Sequence, residues 1–161
     1  MPIIRKAHKE DREPVWQIIR EVITKGDTYV FEPDSSRKDM LDYWFGNDKH
    51  TFVALLQEEV VGTFIIKDNQ PGLGSHIANA SFMVSENASG QGIGRKMGTF
   101  ALEEARRLGY RAMQFNMVVS SNYRAVHLWQ SLGFEIIGEV PEAFRHPEAG
   151  LISVYIMHRR L

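Results

Sequence analysis

Apolar residues recur along the chain with two different periods, and each change of period marks a predicted element. Val15, Ile18, Ile19 and Val22 have the spacing of an amphipathic helix. Similar spacing predicts four helices, in KEDREPVWQIIREVI, SSRKDMLDYWFGN, RKMGTFALEEARRLG and SSNYRAVHLWQSLG. Runs of β-branched and aromatic residues predict strands in PIIRKA, HTFVALL, EVVGTFIIKD, IANASFMV, YRAMQFNMVV, FEIIGEV and LISVYIMHR.

The resulting order is β α α β β β α β α β β, which predicts one α/β (α+β) domain over residues 1–161. A hairpin is expected between HTFVALL and EVVGTFIIKD, whereas the later strand–helix–strand passages favour parallel pairing. We therefore expect a mixed, mostly antiparallel central sheet with flanking helices. The stretch PEAFRHPEAG, between the last two strands, is predicted to be a loop.

Composition narrows the possible functions. The 161 residues carry a formal net charge of −1, which gives no support for a nucleic-acid-binding surface. Cysteine is absent, so disulfides and zinc–thiolate sites are excluded, and no metal site is predicted. The sequence shows no signal-peptide pattern and no apolar run of membrane-spanning length. We expect a cytoplasmic protein without a membrane or nucleic-acid partner.

Three glycines at alternate positions, Gly90, Gly92 and Gly94, lie between a predicted strand and a predicted helix. A helix N-terminus presents free N–H groups and a positive dipole end, and glycine lets an anion approach the backbone. Arg95 and Lys96 add positive charge in the first turn. The stretch lacks the hydroxyl residue of a Walker A loop and the third glycine of a Rossmann fingerprint. The pattern favours a phosphate site over glycines that only tighten the corner.

Two motifs resemble those of the GCN5-related N-acetyltransferase (GNAT) superfamily. SGQGIG is similar to the family's pyrophosphate signature, although Ser89 stands where Gln or Arg is usual. NYRAVHLWQSLGFEIIG is similar to the family's stretch of Asn, Ala, an aromatic residue and Leu-Gly-Phe. The resemblance covers essentially the whole chain and implies the GNAT fold, with acetyl-CoA as cosubstrate.

The same resemblance implies which residues hold the cosubstrate. The strand backbone would pair with pantetheine, a backbone N–H near Val84 would face the thioester carbonyl, and the glycine corner would hold the pyrophosphate. The residues concerned are Phe82, Met83, Val84, Gly90, Gln91, Gly92, Ile93, Gly94, Arg95 and Asn122. For Asn122 a plain helix N-cap is the alternative, and both roles are compatible.

Acetyl transfer also requires a proton to leave the amine and another to reach the thiol. Many relatives use a tyrosine as general acid where this chain has Trp129, and an indole N–H is too weak an acid for that role. The general acid is left unassigned, with Tyr123 as a possible substitute or simply a surface residue. His76 and His146 are candidate bases, against the alternative of exposed histidines without a role. A base acting through water, or an amine that arrives deprotonated, stays open.

Asn79 and Asn116 interrupt the apolar runs of adjacent predicted strands. Buried amides need partners and asparagine is a poor strand former, so the pair favours a polar substrate cleft over two satisfied core amides. The chain also resembles a GNAT subgroup that includes yeast acetyltransferases acting on proline analogues such as azetidine-2-carboxylate. This likeness lies in TYVFEPD, NQPGLGSHIANASFMV, MQFNMVVSSN and AFRHPEAG.

The subgroup resemblance implies that Asn79 and Asn116 are catalytic and that the acceptor is a small amine, such as an amino acid or an analogue of one. Further substrate contacts are predicted from Tyr29, Phe31, Arg145 and His146. Arg145 and His146, on the predicted loop, are suited to a substrate carboxylate.

The sequence leaves three functions to compare. The first is an N-acetyltransferase for a small molecule, in which the amine attacks acetyl-CoA directly without a covalent enzyme intermediate. The second is acetylation of a protein or peptide, which needs a wide groove. The third is an acyl-CoA-binding sensor without turnover, which Ser89 and Trp129 keep open. Since relatives are often dimers, pairing into a homodimer is also allowed.

Overall fold

The computed structural model describes residues 1–161 and contains four α-helices and seven β-strands. The strands are β1 (Ile3–Lys6), β2 (His50–Leu56), β3 (Glu59–Asp68), β4 (Ile77–Val84), β5 (Ala112–Val119), β6 (Glu135–His146) and β7 (Gly150–Arg160). The helices are α1 (Arg12–Lys25), α2 (Arg37–Trp44), α3 (Ile93–Arg107) and α4 (Tyr123–Ser131). This order along the chain confirms the predicted one. None of the helices is both long and apolar enough to cross a lipid bilayer.

All seven strands belong to one sheet, in the order β1-β2-β3-β4-β5-β7-β6. Neighbouring strands are antiparallel except β4 and β5, which run in parallel. The exception arises because α3 carries the chain back across the sheet between these two strands, as a parallel connection requires. The predicted mixed, mostly antiparallel sheet with flanking helices is confirmed.

Helices cover both faces of the sheet. On one face, Ile19 of α1 and Trp44 of α2 are fully buried and belong to the same apolar cluster as Ile65 of β3. On the other face, Met97 of α3 and Phe64 of β3 are fully buried in a second cluster. Consecutive residues of β3 thus point to opposite faces, as the strand period of two requires. The sheet is the middle layer of three.

The prediction of a loop for PEAFRHPEAG is wrong, because most of this stretch is β-strand. β6 continues to His146, β7 begins at Gly150, and only residues 147–149 form the turn between them. Pro141 lies inside β6, where the pairing with β7 shifts between Val140 and Phe144. A bulge on an edge strand tolerates proline, since the missing N–H would have faced away from the partner strand.

Candidate active site

β4 and β5 separate after two paired positions. Their parallel register contains only Ile77 with Ala112 and Ala78 with Met113. Beyond these pairs the strands diverge, and a cavity of about 780 Å³ opens between them. Its walls come from both strands, the segment between α1 and α2, the start of α3 and the start of α4. The opening is lined by residues from the helices on both faces of the sheet.

Alternate residues of β4 direct their backbone N–H and C=O groups into this cleft. The N–H of Asn69 donates to the carbonyl of Ile77, and the N–H of Ser85 donates to the carbonyl of Val61, both at 2.8 Å. Odd-numbered residues from 77 to 85 therefore face β3, and the even-numbered residues between them face β5. Past the last β4–β5 pair, the cleft-facing backbone groups are those of Ala80, Phe82 and Val84.

This alternation divides the predicted pantetheine contacts. Val84 presents free edge groups of the kind that an extended ligand pairs with, whereas the cleft-facing N–H and C=O of Phe82 are both hydrogen-bonded to the Tyr29 hydroxyl. Met83, in contrast, turns its backbone to β3 and buries its side chain against the α1–α2 layer, where it is 2% exposed.

The glycine corner forms an open concave backbone at one end of the cleft. Gly90 and Gly92 both have φ of +78°, a conformation that costs an L-residue about 1–2 kcal/mol. A Cβ on either glycine would meet no atom within 4 Å, so the space beside them is free. Gly92 is the N-cap of α3, and the buried Ile93 fixes the first turn to the core. Gly94 lies close to Leu128 of α4, whose Cδ2 would be 3.4 Å from an added Cβ.

The free N–H groups at the start of α3 therefore border an unobstructed concavity, which fits a diphosphate such as that of coenzyme A.

Two arginines from different helices flank this corner. Arg124 of α4 donates from Nη1 to Ser89 Oγ at 3.2 Å, and Arg95 of α3 donates from Nη2 to Ser131 Oγ at 2.7 Å. The ion pairs in the structure involve other residues, so both guanidiniums contact only neutral hydroxyl groups. Both side chains line the cleft. Arg124 was not predicted from sequence, because its approach to a loop 35 residues earlier has no local signal.

Two residues of the second motif have clear structural positions. Asn122 caps α4, with its Oδ1 accepting the N–H of Ala125 at 3.3 Å, and it also lines the cleft. Trp129 is 8% exposed, and its ring lies 4.8 Å from that of Phe82 and 4.7 Å from that of Phe115, between ring centroids. The indole is thus part of the cleft wall, in keeping with its exclusion as a general acid. Tyr123 is 70% exposed and does not line the cleft.

Aromatic rings close the other end of the cleft. Tyr29 lies in the segment between α1 and α2, and its hydroxyl donates to the carbonyl of Phe82 while accepting the N–H of Phe82 at 3.0 Å. Burial raises the pKa of Tyr29 to about 12. The Phe31 ring stacks on Tyr29 at 6.2 Å and meets the edge of Tyr43 at 5.5 Å. The predicted contact residues Tyr29 and Phe31 both line the cleft.

Two polar amides line the same cleft. Asn79 Nδ2 donates to the carbonyl of Gln114 at 2.9 Å, across the point where β4 and β5 separate. Asn116 is at an irregularity of β5, where the register to β7 shifts between Phe115 and Val118. It accepts from Gln114 Nε2 at 3.0 Å and donates to Asn69 Oδ1 at 2.7 Å. The two predicted catalytic asparagines thus share one cleft and one chain of amides.

The remaining predicted residues lie outside the lining of the cleft, among them Gln91, whose Nε2 donates to the carbonyl of Asn87 at 3.4 Å. Arg145 and His146 end β6 and do not line the cleft. His146 Nδ1 accepts the N–H groups of Glu148 and Ala149, both at 3.1 Å, and so closes the β6–β7 turn. His76 is exposed before β4 and is likewise outside the lining. The expected carboxylate-binding loop is a tight hairpin, which is why this pair does not reach the site.

Comparison with known proteins identifies the family. The family model described as Acetyltransferase (GNAT) family matches residues 16–134. A GCN5-related N-acetyltransferase from Kribbella flavida is 40% identical and superposes with a TM-score of 0.95, covering 99% of this chain and 98% of its own. N-acetyltransferase aca1 of Schizosaccharomyces pombe is 30% identical over an alignment of 151 positions that covers 83% of this chain and 72% of that protein.

The chain belongs to the GNAT family and is an acetyl-CoA-dependent N-acetyltransferase. A shorter match adds a relative with a named substrate class. The L-amino acid N-acyltransferase MnaT of Escherichia coli is 34% identical over 67 residues, which are 42% of this chain and 38% of that protein.

Proposed function

We propose that this acetyltransferase acts on the amine of a small molecule, an amino acid or an amino-acid analogue, by direct attack on acetyl-CoA. The observation that carries the proposal is the closure of the acceptor end of the cleft. The hydroxyl of Tyr29 contacts the backbone of Phe82, and the Phe31 ring packs on Tyr29 and on Tyr43 of α2. The ring packing keeps the segment between α1 and α2 across the edge of β4 even when the Tyr29 hydroxyl changes its partner. A narrow end suits a small acceptor better than a protein segment.

The opposite end supplies the cosubstrate site. Gly90 and Gly92 would hold the diphosphate against the start of α3, with Arg95 and Arg124 as positive partners. Val84 and Ala80 would pair with the pantetheine arm through their cleft-facing backbone groups, and Phe82 would do so once the Tyr29 hydroxyl gives up its backbone groups. When bound, acetyl-CoA supplies an activated acetyl thioester. The side chains at this end of the cleft would therefore bind acetyl-CoA and orient it.

The acceptor end combines an apolar wall with hydrogen-bonding amides. The rings of Tyr29, Phe31 and Tyr43 form the wall, and Asn79 and Asn116 supply amide groups beside it. This combination suits a compact molecule with an apolar body and a polar backbone-like part. The name of the partial relative MnaT, an L-amino acid N-acyltransferase, supports the same class. Proline analogues are among the acceptors that we propose.

The side chains that line the cleft indicate how the amine loses its proton. The titratable side chains that line the cleft are Tyr29, Tyr43, Arg95 and Arg124. Phenols and guanidiniums do not accept protons readily near neutral pH. We therefore infer that the amine loses its proton to water, either before or after it enters the cleft.

The test is release of free thiol from acetyl-CoA in the presence of amino acids, cyclic amino-acid analogues, polyamines and peptides. Release with the amino-acid class alone supports the proposal. Release only with peptides contradicts the small-molecule acceptor, and tight CoA binding without release from any acceptor favours a sensor. Asn116→Ala should bind CoA as tightly as the wild type does. It should raise the KM for the amine by about tenfold, the equivalent of one lost hydrogen bond.

A further inference from the structure

We propose that the Tyr29 hydroxyl is a second hydrogen-bond donor, beside the Phe82 N–H, for the carbonyl oxygen of the acetyl group. The inference rests on the proposed function, in that acetyl transfer takes place in the β4–β5 cleft. It gives Tyr29 a catalytic role instead of the substrate contact expected from sequence.

The position follows from the direction of β4. A ligand arm that leaves the corner at Gly90 and Gly92 and follows the free edge of the strand meets Val84 first, then Phe82, then Ala80. Cleft-facing residues are two apart, so their backbone groups are separated by roughly 6.6 Å. Of these three, Phe82 is the residue whose N–H and C=O both contact a side-chain hydroxyl.

The Tyr29 oxygen demonstrates that an oxygen atom fits at the Phe82 N–H. It accepts that N–H at 3.0 Å, which is the distance and role of a carbonyl oxygen bound to a backbone donor. An acetyl oxygen that takes over this hydrogen bond lies next to the displaced hydroxyl. The hydroxyl proton, which is now donated to the Phe82 carbonyl, is then free to turn to the new oxygen.

Hydrogen-bond donation is the role that suits this phenol, and proton donation is not. The surrounding burial raises the pKa of Tyr29 to about 12. Thiols titrate near 8.5, so transfer of the phenolic proton to a departing thiolate would be unfavourable by a factor of roughly a thousand or more. A donor that keeps its proton has no such cost. It stabilises the negative charge that develops on the carbonyl oxygen during transfer.

The atoms balance without a proton from the enzyme. The C–N bond forms from the amine lone pair, the C–S bond breaks, and sulfur takes the electron pair. The proton lost by the amine nitrogen passes through water to the thiolate, and Tyr29 ends the cycle as it began.

Tyr29→Phe tests the inference with Tyr123→Phe as the matched control, because Tyr123 is exposed and outside the cleft. We expect Tyr29→Phe to lower kcat by about 10- to 100-fold, at or somewhat below the range for loss of one such donor. The pH profile should keep its shape, since the phenol that is removed has its pKa raised to about 12 and stays protonated near neutral pH. Tyr123→Phe should match the wild type in both respects.

Calorimetry supplies a readout that is independent of turnover. CoA lacks the acetyl carbonyl, so its Kd should stay within about twofold in Tyr29→Phe, whereas acetyl-CoA should bind several-fold more weakly. Equal changes for both ligands, or loss of CoA binding, would mean that Tyr29 only supports the cleft and would overturn the inference. Tighter binding of acetyl-CoA to Tyr29→Phe would also overturn the inference. It would mean that the Tyr29 hydroxyl only competes with the acetyl oxygen for the Phe82 N–H.

The comparison of CoA with acetyl-CoA requires no acceptor. A wrong proposal about the acceptor therefore shows itself only in the thiol-release panel, and a wrong proposal about Tyr29 shows itself in the ratio of the two dissociation constants.

Discussion

The amide nitrogen of Asn79 lies 2.9 Å from the carbonyl oxygen of Gln114, one residue beyond the last pair that joins β4 to β5. The side chain takes the place of the backbone hydrogen bond that the diverging strands no longer make. The Asn79 side chain thus links the two strands at the point where they separate. A substitution of Asn79 should therefore change both stability and function.

Asn79→Ala should lower the free energy of unfolding by about 1 kcal/mol, the usual net value of one intramolecular hydrogen bond. It should also lower kcat, because the two cleft walls lose their link. Urea denaturation and thiol release on the same preparations measure both effects. Asn79→Asp is the informative companion, since a carboxylate facing a carbonyl oxygen should destabilise more than alanine does. Unchanged stability in Asn79→Ala, combined with reduced kcat, would assign Asn79 to the chemistry alone.

Gly92→Ala should weaken CoA binding. The residue has φ of +78°, and the alanine variant should lose about 1–2 kcal/mol of stability through backbone strain at the start of α3. Gly72→Ala is a matched control, because Gly72 also has positive φ, at +57°, and a Cβ there would also meet nothing within 4 Å. Both variants should be destabilised, but only Gly92→Ala should bind CoA more weakly by calorimetry. Similar CoA affinity in the two variants would argue against a diphosphate at the corner.

Arg124→Ala should raise the Kd for CoA by about tenfold, since the guanidinium contacts only a neutral hydroxyl beside the glycine corner. Arg106→Ala removes an equal charge from the end of α3, away from the cleft, and should leave the Kd unchanged. The difference between wild type and Arg124→Ala should shrink at high salt, because screening weakens an exposed ion pair. Repeating the titration with CoA that lacks its 3′-phosphate shows which phosphate Arg124 contacts. Equal Kd values in the wild type and Arg124→Ala would exclude Arg124 from the cosubstrate site.

Asp11 should make stability fall in acid. Its buried carboxylate accepts two hydrogen bonds from the Arg5 guanidinium, at 2.7 and 3.0 Å, and the N–H of His8 at 2.6 Å. The hydrogen bonds from Arg5 are the largest cause of a lowered pKa for Asp11. The stabilisation is therefore present above the unfolded-state pKa, near 3.9, and is lost as the pH falls through the lower folded-state value.

Asp11→Asn should reduce the free energy of unfolding by about 1–3 kcal/mol at pH 7, and the difference from wild type should shrink below pH of about 4. Urea denaturation at pH 7 and pH 3 makes the comparison. Asp42→Asn, which removes the partner of Lys38 in a pair whose two side chains are both exposed, should change stability much less than Asp11→Asn does. A pH-independent difference for Asp11→Asn would mean that the carboxylate charge contributes nothing.

Local patterns were sufficient to predict the order of elements and the glycine corner. Apolar periodicity identifies each helix and strand because burial of one face follows directly from residue spacing. Gly90 and Gly92 were recognisable because only glycine adopts positive φ there without strain. The end of β6 was missed because Pro141 normally breaks a strand, and only the edge position of β6 makes the residue acceptable.

The contacts that assemble the candidate site were not predictable where they join residues far apart in sequence. The contact between Ser89 and Arg124 spans 35 residues, and the contact between Tyr29 and Phe82 spans 53. Such pairs are brought together by the order of strands in the sheet, which residue spacing does not encode. The same reason explains why Arg145 and His146, although chemically suited to a carboxylate, are away from the cleft.

The alternation along β4 has a consequence for how this enzyme can diversify. The proposed cosubstrate contacts at Phe82 and Val84 are atoms of the peptide backbone, which every amino acid possesses. The proposed acceptor contacts of Asn79 and Asn116 are side-chain amides instead. Mutation can therefore replace the acceptor-facing side chains one at a time, while acetyl-CoA keeps its hydrogen bonds to the β4 backbone. A gene copy of such a protein can change its choice of amine without first losing its acyl donor.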